Sequence, residues 1–193
     1  SKKEELETVE DKQIIELFCN RQENALQKTE EKYGKFCLNI ANNILRNRED
    51  SEECVNDTWM RAWQSIPPTI PECLRIFLGK ITRNLAFDKY RANHSAKRGG
   101  GEINLVLEEL EEVVAGRDSV EIQLEEKMLT EEINTYLYKL PERECNVFVR
   151  RYFFSETTAQ IAKRYDLKES NVLVILSRTR KKLQAYLVQE GLL

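Results

Sequence analysis

Apolar residues recur at intervals of three and four along most of this chain, the period of a helix with one buried face. Residues 11–20 and 22–46 predict two amphipathic helices; in the second, Leu26, Tyr33, Cys37, Ile40, Ile44 and Leu45 fall at helical spacing. Asp50 with Glu53 makes an acidic variant of the capping box, so a third helix is expected to start near Asp50. On it Val55, Thr58, Trp59, Ala62 and Ile66 form one stripe, with Trp63 on its edge. Three prolines within Ile66–Pro71 then stop the helix and predict a stiff loop. A fourth helix is expected from about Glu72 to Asn93, its buried stripe Leu74, Phe77, Leu78, Ile81 and Leu85.

Beyond Ala96 the pattern changes. Gly99-Gly100-Gly101 breaks the helix, and Glu102, Glu108, Glu109, Glu111, Glu112, Asp118, Glu121 and Glu125 follow among few basic residues. This reads as an acidic linker over 96–125, with transient helix at INLVLEELEEVV. It separates a first domain, 11–95, from a second, 126–190. Helical periodicity resumes through Ile122, Met128, Leu129, Ile133, Tyr136 and Leu137. The segment from Leu140 to Leu187 then reads as three helices. Pro141 suits a first turn, the Ser155–Thr158 stretch supplies a cap, and Tyr165-Asp166-Leu167 interrupts. Lys168-Glu169-Ser170 opens a long basic helix. A short helix, a tight turn and a longer basic helix make a helix-turn-helix pattern, with Asp166 where a Gly is usual. The fold class expected is all-α: two helical domains joined by an acidic linker.

Composition adds bounds. Charged residues are 33% of the chain, with only 7 Gly and 4 Pro, which suits helices better than a sandwich or barrel. No apolar run approaches the roughly 20 residues that span a bilayer, so membrane insertion is not expected. The start, SKKEELETVEDK, lacks the apolar core of a signal peptide. The 5 cysteines are scattered through apolar helical patterns without a CxxC, and the single His94 has no Cys nearby. No metal or other cofactor is expected; reduced, cytoplasmic thiols acting as small hydrophobes fit better. There is no phosphate-cradling glycine loop, no nucleophile motif and no paired-carboxylate motif, so an enzyme is not expected.

Two surfaces carry candidate chemistry. Opposite the buried stripe of the third helix stand Asp50, Glu53, Asp57, Met60 and Gln64, flanked by Asn56. This face is either simply solvated or a docking surface for a basic partner. On the fourth helix, Lys80, Arg83, Phe87, Tyr90 and His94 gather opposite the apolar stripe, with Arg91 beside them. Across 74–98, seven basic residues face a single acid, Asp88. Cations beside outward aromatics suit single-stranded nucleic acid, whose phosphates and unpaired bases they match. The alternative is that Phe87 and Tyr90 pack against a neighbour. Asp88 falls toward the apolar side and would need a partner there.

DSEECVNDTWMRAW, LRIFLGKITRNLAFDKYR and the segment from LPERECNVFVRRYFF to SRTRKKL resemble, in order and spacing, three successive segments of the extracytoplasmic-function (ECF) sigma factors of bacterial RNA polymerase. The resemblance runs from Asp11 to Leu187. It implies an alternative sigma factor without catalysis: a region 2-like bundle and a region 4-like helix-turn-helix domain. Its implied partners are core RNA polymerase, promoter DNA and, as often in the family, an anti-sigma protein. Asp50, Glu53, Asn56, Asp57 and Met60 would meet the β′ clamp, and the C-terminal domain the β flap. The Ile66–Cys73 loop lies where the family captures a flipped −10 base. Lys80, Arg83, Asn84, Phe87, Tyr90 and Arg91 match the segment that reads and melts the −10 element. The acidic linker resembles the segment directed toward the RNA-exit path.

The −35 element would be met by Lys168, Ser170, Asn171, Val174, Arg178 and Lys181, with Arg150 and Arg151 on phosphate. Asn and Arg can bond base edges in pairs, and Val174 can touch a thymine methyl. The sequence departs from the family's habit in its apolar Leu173-Val174-Ile175, and in Phe77 where a Trp is frequent. A free-standing helix-turn-helix regulator is the competing reading, but it needs neither the acidic face nor the basic aromatic helix. An all-helical scaffold would leave an outward Phe87 and Tyr90 unexplained.

Overall fold

The computed structural model describes the backbone of residues 2–94, 101–114 and 122–193, and side chains over 10–94, 101–114 and 131–193. Lys97, Arg98, Gly99 and Gly100, the acidic positions Asp118 and Glu121, and the side chains of Ile122, Glu125, Met128 and Leu129 lie outside them. The described residues form helices and connecting turns, in two compact units divided after Asn93.

The first unit holds α1 (Lys2–Cys19), α2 (Asn24–Leu45), α3 (Arg48–Ser65) and α4 (Leu74–Asn93). Its apolar stripes meet as the periodicity predicts: Ile14 and Phe18, then Tyr33 and Cys37, then Val55, Trp59 and Ala62, all around Leu74, Phe77 and Leu78. The start of α3 differs from expectation. Asn47 is its N-cap, accepting from the Asp50 N–H at 3.0 Å, which places Asp50 inside the first turn rather than at its entrance. Glu49 and Asp50 still lie where a helix dipole favours negative charge. Arg46 ends α2 in the left-handed region, its N–H bonded to the Asn42 carbonyl.

α4 packs against both α2 and α3. A helix covered on two sides buries more than one stripe. Ile76, Gly79, Lys80, Thr82, Ala86 and Phe87 are therefore buried besides the expected Leu74, Phe77 and Leu78, while Ile81 and Leu85 are only half-buried. Thr82 meets Thr58 of α3 hydroxyl to hydroxyl at 2.9 Å, and each hydroxyl also lies within bonding distance of its own preceding turn. Polar side chains buried at this contact thus remain satisfied.

The second unit holds α5 (Glu102–Val114), α6 (Ile122–Lys139), α7 (Glu142–Tyr152), α8 (Thr158–Tyr165) and α9 (Glu169–Gln189). Thr157 caps α8 in a reciprocal capping box with Gln160. Asp166 ends α8 in the left-handed region, φ 52°, so an Asp does the work a Gly often does in this turn. α9 starts at Glu169 without a side-chain cap; Glu169 instead accepts from the Thr158 hydroxyl at 2.6 Å, tying α9 to α8. Val172, Leu176 and Leu183 form the buried side of α9, as expected, joined by Thr179 and Leu187.

The larger difference lies in the expected linker. Residues 102–114 form a helix packed on α7 and α9, burying Val106 and Val113. The cause is charge as much as apolar contact. Arg151 is 2% exposed, and its guanidinium forks onto Glu109 at 2.8 and 3.2 Å. It also pairs with Glu102 and donates to the Glu156 carbonyl at 2.9 Å. Arg180 donates to the Tyr152 hydroxyl at 2.6 Å, and that hydroxyl donates to Glu109 at 2.9 Å. A buried guanidinium needs such partners, since breaking a buried pair costs roughly 3–5 kcal/mol.

Burial works against the Glu109 carboxylate, but the hydrogen bonds and charge of Arg151, with Tyr152 and Arg180, outweigh it. The Glu109 pKa is held below its ordinary value of 4.5. A depressed pKa gives stability that is complete above the ordinary value and is lost as pH falls through the folded one. Glu109→Gln should therefore melt earlier than the unaltered chain at pH 7, with the gap narrowing toward pH 3. Far-UV circular dichroism measures this. The 2 tryptophans, Trp59 and Trp63, both lie in the first unit, so their fluorescence should report unchanged melting there. A gap independent of pH would remove the ion pair as its source.

Candidate docking and nucleic-acid surfaces

The acidic face of α3 is built as a surface. Glu53, Asn56, Asp57 and Met60 are exposed, Met60 by 53%, while Asp50 is half-buried. α4 contributes a cation to it: Lys89 pairs with Asp50 at 3.1 Å and with Glu53. The hydrogen bond to Glu53 leads the causes that raise the Lys89 pKa. That link between a docking candidate and the basic helix was not read in the sequence, where Lys89 counted only toward net charge.

The basic aromatic face of α4 is smaller than expected. Phe87 is 1% exposed and lies in the core, so it is not an outward stacking ring. Lys80 is 7% exposed and likewise belongs to the buried side. Both follow from α4 being covered by two neighbours. The Arg83 guanidinium lies 4.3 Å over the Phe87 ring and donates to the Asn84 side chain at 3.1 Å. Burial, with the repulsion of Arg91, pushes the Arg83 pKa down to about 10. Asp88, expected toward the apolar side, is exposed and pairs with Arg91 at 3.5 Å. Arg91 is exposed, and Asn84 and Tyr90 are half-buried.

The proline-rich loop adds a residue that the periodicity did not single out. Ile66 and Pro71 are buried, while Ile70 between them is 58% exposed. Such a loop holds one apolar side chain out from a fixed base. The signal was its spacing from the prolines, visible only once both ends were known to be anchored.

In the second unit the expected phosphate grips divide. Arg151 is buried under α5 and is a structural residue, a correction forced by its four oxygen partners. Arg150 is half-buried, 4.2 Å over the Phe154 ring and 3.3 Å from Glu156. Glu156 is 6% exposed and also takes a two-pronged contact from Arg164, at 2.7 and 3.2 Å. Glu156 thus clamps the α7–α8 turn, a role with no local signature in the sequence. By contrast Lys168, Ser170, Asn171, Arg178 and Lys181 are exposed, as is Val174 at 45%. Ser170, Asn171, Val174, Arg178 and Lys181 share one side of α9, opposite Val172, Leu176 and Leu183, and Lys168 is its N-cap. Cys37 and Cys54 are buried, and burial pushes their thiols up to about 12 and about 11. They resist forming thiolate and act as packing groups.

Two family models match these units. Residues 31–96 fit the model of sigma-70 region 2, and residues 136–185 fit that of sigma-70 region 4. The chain belongs to the sigma-70 family. The two segments together cover more than half of the chain, in the order expected from the sequence. Comparison with individual curated proteins finds no match. Region 2 takes in α3, the loop and α4, while region 4 takes in α7, α8 and α9. α5 belongs to neither segment. The family gives this sigma factor a role in promoter recognition at transcription initiation. No helix among the described residues is long and apolar enough to cross a membrane.

The packing assigns Phe87 to stability. Phe87→Ala should destabilise the first unit by about 3–5 kcal/mol, the cost of removing a buried aromatic ring. The exposed Arg91→Ala should stay within about 0.5 kcal/mol of the unaltered chain. Urea titrations followed by tryptophan fluorescence report this unit alone. Equal, small effects from both would return Phe87 to the surface.

Proposed function

We propose that this protein is an ECF-type alternative sigma factor that binds core RNA polymerase through α3 and directs it to particular promoters. The observation that carries the proposal is the pairing of two surfaces on one small unit. An exposed acidic face with an adaptable Met60 stands on α3, and a helix with polar, aromatic and basic residues, α4, runs beside it. Asp50, Glu53, Asn56 and Asp57 offer carboxylates and an amide to basic groups of the β′ clamp, and Met60 adds apolar contact.

On the −10 side, the reading rests on Asn84, Tyr90 and Arg91, with Arg83 held behind them and Ile70 projecting from the loop. Lys80 and Phe87 support that surface from the core rather than touching DNA. Extracting a base costs a few kcal/mol of stacking, which contacts to one ring, one apolar wedge and phosphates must offset. On the −35 side, Lys168, Ser170, Asn171, Val174, Arg178 and Lys181 would enter the major groove, with Asn171 and Arg178 able to pair with base edges. Arg150 pairs with Glu156 at the α7–α8 turn rather than standing free for phosphate. The second unit would also meet the β flap, and an anti-sigma protein with basic and apolar groups would compete for the acidic face of α3. The proposed site of action is the cytoplasm, where core polymerase works.

A free-standing helix-turn-helix regulator is the second reading, favoured only by the exposure of the α9 face. It leaves the acidic face of α3 without work to do.

Reversing one charge tests the docking surface. Asp57 is exposed, so Asp57→Lys should keep the fold and its tryptophan-monitored stability. It should weaken binding to purified core polymerase by tenfold or more, since an attraction becomes a repulsion. Size-exclusion co-elution and a fluorescence titration measure this. Unaltered affinity, with the fold intact, would remove α3 as the docking face.

A further inference from the structure

α5 is acidic, lies outside both sigma-70 segments, and is fastened to the unit that carries the DNA-reading helix. Its residues divide by task. Glu102 and Glu109 hold Arg151, Glu109 also meets Tyr152 and Arg180, and Val106 and Val113 are buried. Glu108, Glu111 and Glu112 are exposed and add nothing to that anchorage. Glu112 and Val113 line an open groove with Ser177, Arg180, Lys181 and Gln184 of α9. Lys181 belongs to the face assigned above to the −35 element. A carboxylate is thus fixed at the flank of the surface meant to receive phosphates.

The geometry points to α5 as a built-in electrostatic strap that weakens duplex binding by the second unit while it stays docked; this rests on the reading of α9 as the DNA surface. Duplex DNA carries one charge per about 1.7 Å of axis, and fixed charges act on it over a Debye length of about 10 Å at 0.1 M salt. The exposed carboxylates repel an approaching backbone and partly neutralise Lys181. The anchoring pairs keep them from swinging away. Lifting α5 would remove the repulsion and uncover Arg180, converting a weak DNA binder into a stronger one. A partner that takes up the acidic helix would have this effect. The strap therefore favours DNA engagement after assembly over capture by stray duplex.

The test uses the full chain and a short labelled duplex of random sequence, followed by fluorescence anisotropy over a salt series. Glu111→Gln with Glu112→Gln alters only exposed positions, so folding is preserved. It should raise affinity roughly threefold to tenfold at about 50 mM salt, with the gain shrinking as salt rises. Glu109→Gln, which loosens the anchor, should also raise affinity wherever circular dichroism shows the second unit still folded. Equal or weaker binding by the Glu111/Glu112 variant at low salt would overturn the strap. Arg178→Ala with Lys181→Ala separates the two readings. If that variant loses binding while the Glu111/Glu112 variant gains none, the strap alone falls. If it binds as tightly as the unaltered chain, α9 is not the DNA surface and the strap falls with it.

Discussion

The buried Arg151 guanidinium, held between Glu102, Glu109 and the Glu156 carbonyl, shows the constraint that orders this protein. A charge taken out of water must carry an opposite charge or a set of acceptors with it. In the second unit that requirement pins an acidic helix to α7 and α9. At the α7–α8 turn it gathers Arg150 and Arg164 on Glu156. In the first unit Lys89 answers Asp50 and Glu53. What is left exposed after these pairings is what partners can use: Asp57, Asn56 and Met60 on one face, and Lys168, Arg178 and Lys181 on another.

This sorting explains how a chain with a net charge of only −3 can present two surfaces of opposite sign. Each sign is concentrated by local sequence and then trimmed by internal pairing. The side of α9 proposed to read DNA exposes few cations beside Val174, so on that reading its affinity for DNA would rest on a small electrostatic term. Such an element would position better than it grips, and would gain by acting beside a second contact from region 2. On the proposed reading the two units divide the work, one combining polymerase and −10 contacts, the other reading the −35 side.

The helices themselves were legible because each buries an apolar stripe whose period survives in one dimension. The helix-turn-helix, the acidic face and the buried sides of α3 and α9 followed from that alone. What could not be read was depth. A helical wheel gives α4 one inner stripe, but α2 and α3 cover it on two sides, and Phe87 and Lys80 go inside. Likewise the acid-rich composition of 102–114 suggested a solvated linker, because its partners Arg151 and Arg180 lie tens of residues away. Nothing local marks an ion pair across that separation. The start of α3 was misplaced for a smaller reason: Asn47 and Asp50 are both good caps, and only the backbone chooses between them.

The central claim is that the two surfaces serve one act, the placement of core polymerase on a promoter. Run-off transcription with purified core polymerase and a promoter-library template tests it most directly. The account predicts discrete start sites that depend on the added protein and share sequence elements at −10 and −35. Transcription that is the same with and without the protein, at concentrations where it binds core enzyme, would contradict it.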